Sequence, residues 1–150
     1  MTARRALLED LNFDDLVVLS AGDAGLSQDQ ARAALTGALG LLDRHAGRET
    51  LVALFDAVPG AEAAARSKEA ARPRRGLFGG VLAGAGGLSG KAVAEAMGLL
   101  EQLKPEGVGK AELKRLLPAA RERVRATTGR DLLGEAVRGV PGVGPLLGDA

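Results

Sequence analysis

Leucine, alanine and valine recur along this chain at intervals of three and four, the spacing that stacks side chains on one face of a helix. Arg4 to Leu11 reads as a short amphipathic start. Asn12, with Asp15 three residues on, has the form of a helix cap, and Leu16, Val17 and Leu19 follow before Gly22 and Gly25 stop the run. Ser27 and Gln30 form a cleaner capping box. The helix they open is predicted to reach about Ala46, to bury Ala31, Ala34, Leu35, Ala38, Leu39 and Leu42, and to end on Gly47. Leu51, Leu54, Phe55 and Val58 share the next face, which Pro59–Gly60 closes, and Ala61 to Arg66 adds a turn or two.

The pattern then lapses. A basic, proline-broken stretch (SKEAARPRR, from Ser67) leads into GLFGGVLAGAGGLSG, from Gly76 to Gly90, and reads as a connector. Periodicity resumes at Ser89, with Val93, Ala96, Met97, Leu100 and Leu103 expected inward until Pro105 and Gly107. Ala111 to about Thr127 places Leu113, Leu116, Leu117, Ala120 and Val124 on one side, with Pro118 expected to kink or divide the helix. Asp131 to Arg138 is a last short helix before a Pro/Gly tail, residues 139–150.

These elements predict an all-α bundle of six to seven short helices in a single domain. Its subunits are residues 1–66 and 87–138, joined by a basic, Gly-rich connector at 67–86. Gly25-Leu26-Ser27 and Gly87-Leu88-Ser89 each open a helix, and Ala34/Leu35 then fall opposite Ala96/Met97. Val58-Pro59 and Leu117-Pro118 extend the parallel, so the chain reads as a degenerate duplication of a two-helix unit.

Composition supports helices. Ala and Leu number 28 and 25, against 11 Val and 5 Thr, with no Ile, Trp or Tyr. With no Cys and one His there is neither a disulfide frame nor a multi-histidine metal site within the chain. The net charge of +1 conceals an asymmetry. Residues 1–65 carry five Arg against ten acidic groups, whereas residues 66–130 carry fourteen basic groups against six acidic. Opposite signs in opposite halves favour self-association or an internal clamp, and leave an anionic partner open. The first ten residues contain no apolar run of signal-peptide length, and no window is long enough to span a membrane; a soluble cytoplasmic protein is expected.

Candidate chemistry is sparse. Ala85 to Ala92 approximates a phosphate loop, but Ala85 replaces its first Gly and Ala92 its metal-binding hydroxyl. Gly84-Ala85-Gly86 lacks the third glycine of a dinucleotide fingerprint, and Ser89 lacks the surroundings of a nucleophile. Gly76, Gly80 and Gly84 form a small-residue stripe suited to helix pairing or a membrane surface. Asp43, His45 and Glu49 lie close enough in sequence to be considered as metal ligands, although a solvated helix end accounts for them. The most serious candidate is basic. Lys110, Lys114, Arg121 and Arg125 fall on one arc of a helix, offset from its apolar arc, and form a candidate anion-binding face for nucleic acid or anionic lipid. Nearby Glu112 and Glu122, and the want of aromatics for stacking, weigh for a solvated face or a partner of the acidic half.

The order Leu-Ser, Ala-rich helix, Phe55-Asp56-Ala57-Val58-Pro59-Gly60-Ala61, Gly-rich centre and Leu116-Leu117-Pro118 resembles the VcgC/VcgE-type group of uncharacterised bacterial proteins, and more distantly YidB-like proteins. The resemblance covers residues 25–138 and implies a small helical fold with no established activity and no functional residue to carry over. Members of that group often read as exported, whereas no signal peptide is expected from the opening residues here. The expectation is a non-enzymatic interaction or structural protein without cofactor, acting on a protein partner or on a second copy of itself. The alternative is a binder of nucleic acid or an anionic membrane surface.

Overall fold

Three of the helices begin where a side chain, that of Asn12, Ser27 or Asp131, accepts an otherwise unpaired backbone N–H. The computed structural model describes residues 11–67, 88–140 and 142–143, with backbone alone for 88–90; the amphipathic start at Arg4 and most of the connector lie outside them. Helix α1 (Phe13–Ala24) opens with the Asp15 N–H donating to Asn12 Oδ1 at 2.7 Å. It passes straight through Gly22, which faces open space, and stops only at Gly25, whose φ of +74° an L side chain rarely adopts. Helix α2 (Gln28–His45) carries the predicted capping box, with Ser27 and Gln30 exchanging bonds of 3.0 Å.

Gly47 does not end α2. The chain turns at extended Ala46 directly into α3 (Arg48–Ala57), and Gly47 becomes the residue before that helix. After α3 the predicted Pro59–Gly60 corner leads into α4 (Ala61–Ala65). Gly60 has φ +94°, and a Cβ there would lie 3.2 Å from Phe13 Cβ, so both conformation and space call for glycine. Helix α5 (Leu88–Leu103) runs into a 3-10 turn at Lys104–Glu106 that holds Pro105. Helix α6 (Lys110–Thr128) and α7 (Leu132–Arg138) follow, α7 capped by Asp131 accepting from the Gly134 N–H at 3.1 Å. The described residues thus form seven helices and no strand.

Helix α2 is central, with α4, α1 and α5 against it. Helix α1 also lies along α6, and α7 bridges α6 and α3. The stretches on either side of the connector therefore interleave, sharing one apolar cluster that runs from Leu11 to Val143. Its members are almost all Leu, Ala and Val, and small side chains let helix axes approach closely. The described part of the Pro/Gly tail joins it, since Val140 and Val143 are buried.

On α6 the inward set is the predicted one: Leu113, Leu116, Leu117, Ala120 and Val124. Pro118 neither divides this helix nor ends it. It lies on the exposed side, where water can meet the Lys114 carbonyl that lacks an amide donor. On α5 the inward face is rotated from the expected one. Ala92, Ala96, Leu99 and Leu103 are buried, whereas Met97 is 51% exposed. The proposed duplication matches at buried Ala34 and Ala96 but not at buried Leu35 and exposed Met97. Val58 and Leu117 differ likewise, one closing α3 and the other inside α6.

Candidate functional site

The four basic residues singled out on α6 do not act as one stripe. Arg121 grips Asp131 with Nη2–Oδ2 at 2.7 Å and Nε–Oδ1 at 3.3 Å, and Arg125 reaches Glu122 at 3.4 Å. Lys110 and Lys114 stay exposed. Between these positions, Arg123 clasps Asp23 of α1 through bonds of 2.8 and 3.0 Å, and Arg115 donates to the Ala24 carbonyl at the end of α1. The charge asymmetry is thus partly folded inward, basic α6 onto acidic α1.

The carboxylates in these clasps are held in their charged form. The Arg123 hydrogen bond, the strongest influence on Asp23, keeps its pKa below the ordinary 3.8. For Asp131, partial burial is the largest single influence and pushes upward. The Arg121 and Gly134 hydrogen bonds, with the charges of Arg121 and Arg138, together outweigh it and bring the pKa down.

Asp43, His45 and Glu49 do not converge, and no group of three or more potential ligands occurs among the described residues. Asp43 instead receives Arg48 from α3 and Arg66 from the end of α4, at 3.1 to 3.3 Å. Burial pulls its pKa upward most strongly, but the two guanidiniums together bring it below 3.8. His45 Nε2 lies 3.0 Å from Glu95 Oε2 of α5 without the alignment of a hydrogen bond, while Arg44 Nε donates to the other Glu95 oxygen at 2.8 Å. Glu49 is exposed in the first turn of α3. These groups tie helix ends together. The glycine stripe and the loop residues 84–87 lie outside the described residues, and Ser89 is in the first turn of α5.

The described residues also enclose a half-open groove of about 430 Å³ between α2, α4 and α5. Phe13, Ala33, Gly37, Ala64, Leu99 and Leu103 supply apolar lining; Asp29, Arg32, Thr36, Ser67, Gln102 and Glu106 supply the polar part. Two local contacts set how its walls lie. Gly37 has no side chain, so Leu99 rests directly on the α2 backbone, where even a Cβ would overlap it. At one end, Gln30 Nε2 donates to the Glu106 carbonyl at 2.9 Å, tying the 3-10 turn to the first turn of α2. Arg32 sits 5.8 Å over the Phe13 ring and pairs with Asp14 at 2.9 Å. None of these is among the candidate residues that the sequence pattern indicates. The available signal was Gly37, a glycine inside an otherwise Ala/Leu helix, which marks a close approach.

No family model matches this chain, and neither a curated protein nor a solved structure matches it.

Proposed function

We propose that this chain is a non-enzymatic interaction protein that receives a segment of a partner polypeptide in the groove between α2, α4 and α5. The observation that carries this reading is the groove itself, a half-open concavity with an apolar floor and a polar rim. Helix-in-groove recognition uses such a surface, since apolar anchors bury while flanking polar groups fix register. Elsewhere Arg115, Arg121 and Arg123 of α6 and the carboxylates Asp23, Asp43 and Asp131 are engaged in holding helices together, which leaves them poorly placed for acid–base work. The resemblance to the VcgC/VcgE-type group, sharpest at the Val58-Pro59-Gly60-Ala61 corner, implies a helical fold and no activity.

Amide chemical-shift mapping with a neutral amphipathic Leu/Gln helical peptide tests the reading. Shifts are expected at residues 29–37 and 99–106, and loss of them in Ala33→Trp, which fills the groove from α2. Perturbation confined to α6 and α7, or none, contradicts it. The second reading, anion binding through α6, draws on Lys110 and Lys114, both exposed on successive turns. Salt-sensitive gel retardation that vanishes in Lys110→Ala/Lys114→Ala supports that reading; no retardation at low salt removes it.

A further inference from the structure

The groove has an electrical polarity that narrows its occupant, given the docking reading above. Among the described lining residues the one arginine is already balanced, because Arg32 pairs with Asp14 at 2.9 Å and lies over Phe13, and the two carboxylates at its rim stand differently. Asp29, in the first turn of α2, and Glu106, in the 3-10 turn, are exposed, and neither side chain has an ion pair or hydrogen bond among the described residues. The bond from Gln30 Nε2 to the Glu106 carbonyl keeps these two turns side by side at the same end of the groove.

We infer that the groove takes a segment of a separate polypeptide in which an apolar anchor is followed by lysine or arginine, the anchor seated against Leu99 and Leu103 and the cation at the Asp29–Glu106 end. Charge complementarity decides the sign, and the apolar floor requires the anchor. A second copy of α6 does not meet both demands: its lysines are exposed, but its apolar arc of Leu113, Leu116 and Leu117 is buried in its own core.

The test uses the full chain and three helical peptides with identical leucine spacing and Lys, Gln or Glu flanks, read by fluorescence anisotropy and by amide shifts. Binding is expected in the order Lys, Gln, Glu. At low salt the Lys and Glu peptides should differ by about tenfold, shrinking to about twofold in Asp29→Asn/Glu106→Gln and at high salt, as two exposed charge contacts imply. Equal binding of all three at the groove overturns the charge selection and leaves docking standing. No binding of any overturns both. Groove shifts that appear on concentrating the protein alone assign the site to a second copy. Tighter Lys-peptide binding after Arg72→Gln/Arg74→Gln/Arg75→Gln assigns it to the chain's own basic stretch. Either of those results overturns the choice of a separate polypeptide.

Discussion

Arg115, Arg121 and Arg123 leave α6 within nine positions, and each ends on a different acceptor: the Ala24 carbonyl, Asp131 and Asp23. A helical wheel places such residues on a face, but it does not say which acceptor the tertiary fold brings within reach. That is why the basic arc was legible as charge and its use was not. Gly134 shows the same limit. A Cβ at that position would collide with the Asp131 carboxylate and lie 2.7 Å from Arg121 Nε, so Gly134→Ala should weaken both cap and clasp. A loss of about 1–2 kcal/mol is expected in urea unfolding, whereas a neutral result contradicts the clasp. Ser20 predicts the opposite sign. It is fully buried on α1, and its hydroxyl has no hydrogen-bond partner among the described residues, so Ser20→Ala should raise stability by about 1 kcal/mol because an unsatisfied polar atom is removed. A fall of that size would mean that the hydroxyl has a partner.

Helix caps were the most legible elements, because capping chemistry is local. Asn12–Asp15 and Ser27–Gln30 lie where their spacing put them. Helix ends set by neighbours were less so: α1 continues through Gly22, and Gly47 starts α3 instead of closing α2. The rotation of α5 was hidden because Ala, Val, Leu and Met occupy both of its faces; contact with α2 at Gly37 and Leu99 selects one. Acid should act on the junctions between elements. Asp23, Asp43 and Asp131 all titrate below 3.8 when folded. A depressed folded pKa contributes stability that is present above the unfolded value and lost as pH falls through the folded one. The urea midpoint should therefore decline below about pH 4, and Asp43→Asn or Asp131→Asn should each flatten that decline. An unchanged slope in both variants contradicts the pairing.

At the scale of the whole molecule, the all-helical class followed from Ala and Leu at helical spacing, and the core confirms why: Leu54 and Leu117 are each 1% exposed within one continuous cluster. Burying a charge at either site is unsupportable, so Leu54→Asp and Leu117→Asp should abolish the helical circular-dichroism signal; its survival contradicts the packing. The groove was not legible, because it arises from three helices separated in sequence, two of which approach closely at Gly37. Nor could sequence decide whether the acidic and basic stretches meet within one chain or between copies. In the structure they meet within it, through Asp23–Arg123. Light scattering on the eluting protein at low salt tests this most directly. The account predicts the 15.3 kDa mass of one chain at every concentration, whereas a dimer that separates on adding salt would place those charges between copies and contradict it.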